Sequence, residues 1–95
     1  MLTSKNKALL LKLANPLSPS LILGKGELDD KVVAVVDKAL TAHELIKIKV
    51  LTNQKEELET LGETIAQKTS SELVQVVGRI LILYRARKEN PTIVL

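Results

Sequence analysis

The sequence predicts an α/β fold in which three helices alternate with the strands of a four-stranded mixed sheet. Apolar residues recur at helical spacing in three segments, and short apolar or alternating segments follow them, in the order α–β–α–β–α–β–β. Helical connections between the first three strands favour parallel pairing. A tight turn before the last strand favours an antiparallel neighbour. The 95 residues suit one compact domain, with a basic C-terminal tail from about residue 86.

The first helix is expected at residues 3–14, with Thr3 or Ser4 as its cap and Pro16 and Pro19 beyond its end. Its lysines are expected mainly on the side away from the core. The apolar stripe of this helix is predicted at Ala8, Leu9, Leu11, Leu13 and Ala14.

A short apolar strand is expected at residues 21–23, ending at Gly24, and a second helix at 28–42. Asp29 and Asp30 lie in the first turn of this helix, where the helix dipole favours acids. The apolar face of the helix is predicted at Leu28, Val32, Val35, Val36, Ala39 and Leu40.

Residues 44–52 alternate between apolar and polar, which predicts a strand with one buried face and one wet face. Asn53 and Glu56 fit a capping pattern for a third helix, whose apolar side holds Leu58, Leu61, Ile65 and Ala66. Residues 72–85 predict two strands around a type II′ turn at Gly78–Arg79. Residues 92–95 would add a short strand or pack as a tail.

The composition excludes several classes of function. The absence of cysteine excludes disulfides and thiolate metal sites and fits a reducing, cytoplasmic compartment. Lysines interrupt the N-terminal apolar run, and no apolar segment is long enough to span a membrane, so we expect neither signal peptide nor membrane contact. His43, the single histidine, ends the second helix, where a cation has a structural use. No catalytic or metal-binding constellation is apparent, so no enzyme activity, cofactor or small-molecule substrate is expected.

The net charge of +3 is unevenly distributed. Residues 1–25 hold four lysines and no acid, residues 26–72 hold six lysines and ten acids, and residues 73–95 hold four cations and one acid. If the two basic ends meet in the fold, they form the kind of face that binds a polyanion. Scattered, solvated charge explains the pattern equally well.

Two motifs bear on a polyanion partner. The loop Gly24–Lys25–Gly26 precedes a helix, where backbone amides can hold a phosphate, but its spacing matches neither nucleotide-binding glycine motif, so alone it favours a structural turn. In the hairpin, arginines could hold phosphates and Tyr84 could stack on a base. The alternative is that Tyr84 is a core residue and the arginines are solvated.

These residues resemble the bacterial YhbY group, which consists of single-domain members of the CRM (chloroplast RNA splicing and ribosome maturation) family. The resemblance covers nearly the whole chain and is carried by LANPLSPSLILGKGEL, HELIKIKV and VQVVGRILILYR. It implies a fold similar to the C-terminal domain of translation initiation factor three. It also implies binding to RNA, with bacterial members associated with large-subunit ribosome precursors.

The family carries a Gly-x-x-Gly loop like that of KH domains, which clamps the RNA backbone. This chain departs from it, because Gly24 fits the first position but Glu27 stands at the fourth. From the resemblance and the two basic ends, we expect a monomeric protein that binds ribosomal RNA in the assembling large subunit. The alternative is an adaptor that docks on a ribosomal protein or assembly factor through its acidic third helix. The expected RNA contacts are Gly24, Lys25, Gly26, Lys5, Lys7, Lys12, Arg79, Arg85, Arg87 and Lys88.

Overall fold

A computed structural model describes residues 2–24, 28–51, 55–87 and 93. The expectations for Lys25, Gly26, Glu27, Asn53, Lys88 and the end of the chain therefore lie outside the described residues. The elements follow the predicted order: α1 Ser4–Ala14, β1 Leu21–Leu23, α2 Asp30–His43, β2 Leu45–Val50, α3 Lys55–Thr69, β3 Glu72–Val77 and β4 Ile80–Tyr84.

The four strands form one mixed sheet in the order β1-β2-β4-β3. β1 and β2 pair in parallel, and β4 lies antiparallel between β2 and β3. The first three strands therefore run in one direction, as the helical connections predict. The predicted fold class, an α/β domain with a four-stranded mixed sheet, is confirmed.

The β3–β4 hairpin turns at Gly78 and Arg79. Gly78 has a φ of 59°, and it is the only residue of this two-residue turn with a positive φ. A type II′ turn requires this combination, so the predicted turn type agrees with the backbone.

One face of the sheet packs against α2 and α3 and holds the larger core cluster. Leu23, Ile48 and Leu83 from the strands meet Val36 and Leu40 of α2 there. Buried Leu58 and Ile65 of α3 complete the layer, as the helical spacing predicts. Val35, predicted on the same face of α2, is instead 46% exposed.

The other face of the sheet packs against α1. Leu10 and Ala14 of α1 are buried against Leu45, Ile82 and Tyr84. This arrangement corrects two expectations. Part of the predicted wet face of β2 is covered, and the stripe of α1 is displaced, because Leu10 is buried while Leu9 and Leu13 are 38% and 41% exposed.

The start of α2 and the start of β2 also differ from the predicted ranges. The Asp29 carboxylate accepts a hydrogen bond from the Val32 N–H at 2.9 Å, so Asp29 is the N-cap and α2 begins at Asp30. Glu44 cannot belong to β2, because its φ of 60° places it in the left-handed region at the end of α2.

Candidate nucleic-acid interface

Three connections meet at one end of the sheet. The Leu51 N–H donates to the Leu23 carbonyl at 2.8 Å, and the Val50 N–H donates to the Arg79 carbonyl at 2.8 Å. These bonds bring together the ends of β1 and β2 and the β3–β4 turn. We call this region, defined by Gly24, Leu51, Gly78 and Arg79, the loop end.

Gly24 is half-buried at the start of the glycine loop, and Lys25, Gly26 and Glu27 follow it outside the described residues. Asp29 and Asp30 are exposed at the N-terminus of α2. Because Asp29 caps this helix, its carboxylate already occupies one of the amides that an incoming phosphate would use. Asp29 therefore serves the helix, and the positive charge for anion binding comes from cations elsewhere at the loop end.

Arg79 is exposed and lies in the β3–β4 turn at the loop end, whereas Arg85 and Arg87 are partly buried. Lys49, two residues before Leu51, is also exposed. Two elements that are distant in sequence, β2 and the β3–β4 turn, thus place positive charge at the loop end. Lys49 is not among the residues predicted from the sequence, although its polar position in an alternating strand is visible there.

The lysines of α1 are all exposed but do not form a single strip. Successive residues of a helix are rotated by about 100°, so Lys5 and Lys12, two turns apart, share one side. Lys7 lies on another side, one turn before Leu11. Leu11 and Ile80 line the same groove, so Lys7 belongs to the flank of α1 that faces the loop end.

Arg85 contacts the ends of two helices rather than the loop end. Its Nη1 donates to Asp37 Oδ1 at 2.5 Å and to the Thr69 carbonyl at 2.8 Å. Its Nη2 donates to the Asp37 carbonyl at 2.9 Å and to Thr41 Oγ1 at 2.8 Å. A guanidinium with four internal acceptors has a structural use that the sequence did not reveal.

Arg87 lies in the same region and contacts the last turn of α2. Its Nε donates to the Thr41 carbonyl at 3.1 Å, and its Nη2 donates to the Ala42 carbonyl. Cations are favoured at this end of a helix, where carbonyls lack partners. The structure thus places Arg85 and Arg87 at the opposite end of the sheet from Arg79.

Glu44 holds the chain that follows β4. Its side chain is fully buried, and its two carboxylate oxygens accept hydrogen bonds from the Arg87 N–H at 3.1 Å and the Ile93 N–H at 3.2 Å. Glu44 is not among the residues predicted from the sequence. The sequence shows only an acidic residue before an apolar strand, and this pattern is the same for a buried carboxylate and for one on the surface.

Tyr84 is a core residue, which decides between the two interpretations of its position. It is 7% exposed and packs among the core residues between α1 and the sheet, so its ring is not available to stack on a base. Burial raises the pKa of the Tyr84 hydroxyl above its ordinary value, and the negative charges of Glu44 and Glu72 raise it further.

His43 is exposed in the last turn of α2, and its structural use stays a prediction. Across the described ranges, no three histidine, cysteine or acidic residues come together in a way that could hold a metal ion. Within the same ranges, no helix is long and apolar enough to cross a membrane.

Taken together, the geometry defines a small α/β domain with an exposed basic loop end. The CRS1 / YhbY (CRM) domain model matches residues 2–85. The chain is 39% identical over 93 residues to the probable RNA-binding protein YqeI of Bacillus subtilis, a match that covers 98% of this chain and 97% of YqeI. It is also 39% identical over 88 residues to an RNA-binding protein of Haemophilus influenzae, covering 93% of this chain and 89% of that protein.

A solved structure has the same fold. The solution structure of SAV1595, a hypothetical protein from Staphylococcus aureus, is 41% identical, with a TM-score of 0.87 and coverage of 100% of this chain and 99% of that one. The protein therefore belongs to the CRS1/YhbY (CRM) domain family, and the resemblance found in its sequence is confirmed.

Proposed function

We propose that the protein is a non-enzymatic, monomeric RNA-binding protein of the cytoplasm that binds ribosomal RNA in the assembling large subunit. The observation that carries this proposal is the exposure of Lys49 and Arg79 at the loop end, in a family whose relatives are named as RNA-binding proteins. The ribosomal target is supported by the resemblance to the bacterial YhbY group.

The loop end supplies the expected backbone contacts. Arg79 and Lys49 contact phosphates directly, and Lys7 extends the positive surface along α1. In this proposal Gly24, Lys25 and Gly26 of the glycine loop hold a further phosphate, as in a KH-like loop. Lys5, Lys12 and Lys88 add general electrostatic attraction rather than defined contacts.

Salt dependence tests whether binding is driven by phosphates. A fragment of large-subunit ribosomal RNA is titrated with the protein at several salt concentrations. If cations neutralise phosphates, the logarithm of the binding constant falls linearly with the logarithm of the salt concentration. A slope near zero contradicts the proposal.

Reversing the charge of Arg79 tests the loop end itself. Arg79→Glu should weaken binding to unrelated RNA sequences alike and reduce the salt slope by about 1, because a phosphate contact is lost. Lys38→Glu is the matched control, since Lys38 is exposed on α2, on the other side of the sheet. Equal effects of the two substitutions would show that only net charge matters.

A second function, docking on a ribosomal protein or assembly factor, is favoured by α3. Glu56, Glu59 and Glu63 are exposed on this helix, on the side of the sheet opposite α1. Ribonuclease treatment of cell extracts separates the two functions. Release of the protein from ribosomal particles after RNA digestion supports RNA binding, and retention supports the adaptor.

A further inference from the structure

One residue from each strand forms a row across the sheet at the loop end, with three members exposed and Ile80 partly buried. Ile22 pairs with Lys49, Lys49 pairs with Ile80, and Ile80 pairs with Val77. We call these four residues the open row. Neighbouring strands lie about 4.8 Å apart, so the row spans roughly 14 Å. Ile22 is 59% exposed and Val77 is 49% exposed.

The row is open because α1 crosses the same face further along the strands. Leu10 and Ala14 cover Leu45, Ile82 and Tyr84, which lie toward the opposite end of the sheet. Between α1 and the row lies a groove of about 270 Å³. The groove is lined by Leu11, Asn15, Lys47, Gln75, Val77, Ile80 and Ile82.

The surroundings of the open row carry positive charge. Among the described residues of the row and the groove lining, none is acidic. Lys49 is exposed within the row, Arg79 lies in the adjoining turn, and Lys7 lies on the nearest flank of α1. The Lys47 ammonium is held by the Asn15 and Leu17 carbonyls at 3.2 and 3.1 Å, so it fixes the end of α1 against the sheet.

A row of three aliphatic residues and one lysine, with an arginine in the adjoining turn, fits a particular form of RNA. The bases of a duplex are stacked inside it, and a protein meets mainly its phosphates and 2′-hydroxyls. Unpaired nucleotides expose base and ribose faces that aliphatic side chains can contact, while the phosphates remain available to lysine and arginine.

We infer that the open row binds unpaired nucleotides of a single-stranded RNA segment, with Ile22, Ile80 and Val77 against bases or riboses and Lys49 and Arg79 against phosphates. This inference rests on the proposed function of RNA binding. Since the row contains no aromatic residue, it contributes contact area without strong base discrimination.

The test compares two RNAs and two sets of variants. The single-stranded probe is an oligouridylate about 12 nucleotides long, within the usual range of site sizes, and the second probe is a duplex of similar length. The double substitution Ile22→Thr and Val77→Thr keeps β-branched residues in the strands, so the fold should persist. Val35→Thr is the matched control, because Val35 is 46% exposed on α2, across the sheet.

The double variant should bind the oligouridylate several-fold more weakly, while its affinity for the duplex and the affinities of Val35→Thr stay within about twofold of wild type. Ile22→Phe should tighten oligouridylate binding, because an aromatic ring at the row can stack on a base. Thermal unfolding of each variant checks that the fold is retained.

Other outcomes overturn the inference in distinguishable ways. If the wild type binds RNA but the double variant loses nothing, or loses single strand and duplex equally, the open row does not bind unpaired nucleotides and the proposed function stands. The same holds if the wild type binds only the duplex. If the wild type binds neither these probes nor ribosomal RNA, the proposed function fails together with the inference.

Discussion

Arg79 and Arg85 flank the same strand but differ in what their side chains contact. Arg79 is exposed in the β3–β4 turn, whereas the Arg85 guanidinium is surrounded by acceptors from α2 and α3. These acceptors lie 48, 44 and 16 residues away along the chain. Because such distant partners leave no local pattern, both arginines are predicted as RNA contacts from the sequence.

Arg85→Lys should therefore lower the free energy of unfolding by about 1.5–3 kcal/mol, because an ammonium cannot reach the ends of both helices as the guanidinium fork does. Chemical denaturation measures this. Arg79→Lys is the control and should change stability by less than about 0.5 kcal/mol, as expected of an exposed turn residue. An Arg85→Lys variant of unchanged stability but weakened RNA binding would show that Arg85 is an RNA contact.

Tyr84 should make stability depend on pH in the alkaline range. Its hydroxyl ionises near the ordinary pKa of 10.0 when unfolded and above that value when folded, chiefly because of burial. As pH rises through 10, the unfolded state loses this proton first, so the free energy of unfolding falls. In Tyr84→Phe the free energy of unfolding should fall less over the same pH range, as measured by denaturation at several pH values. The lysines titrate in both proteins, so their contribution is common to the comparison.

The same prediction has a direct optical check. Tyr84 is the only tyrosine and the chain has no tryptophan, so the tyrosinate absorbance reports this one hydroxyl. Native protein should ionise at higher pH than the chain unfolded in denaturant. Coinciding titration curves would contradict the assigned burial.

At the scale of elements, α3 lies close to the sheet because Gly62 lacks a side chain. A Cβ at this buried position would lie 2.9 Å from both Leu73 δ-carbons and 3.3 Å from Leu81 Cδ2. The spacing of apolar residues predicted the buried side of α3. It did not show that this glycine sets the distance between helix and sheet.

Gly62→Val should destabilise the protein by about 1–3 kcal/mol, because two further methyl groups would overpack the contact with Leu73. Thr60→Val is the control, because Thr60 is exposed on the same helix and should change stability by less than about 0.5 kcal/mol. Thermal or chemical unfolding measures the stability of both variants. Equal stability of the two variants would show that α3 can move away from the sheet without cost.

The charge of the whole molecule differs between the two layers, although both layers expose lysines. The α1 layer and the loop end carry lysines and Arg79, and the α3 layer exposes Glu56, Glu59 and Glu63. The expectation that the two basic ends of the chain form one surface holds only in part. Arg79 lies at the loop end, but Arg85 and Arg87 lie beside the C-terminus of α2.

The number, order and type of the elements and the turn at Gly78 follow from the amino-acid sequence alone. It also predicted which residues of β2 and β4 alternate between the two faces. These features depend on the spacing of apolar residues and on local backbone preferences, and both can be read from residues that are close together in the chain.

Three features depend on tertiary packing: the insertion of β4 between β2 and β3, the half of the sheet that α1 covers, and the contacts of each arginine. The open row shows the reason, because Ile22, Lys49, Val77 and Ile80 become neighbours through strand pairing alone. Pairing between distant segments is set by the packing of the whole core, and no local stretch of sequence carries that information.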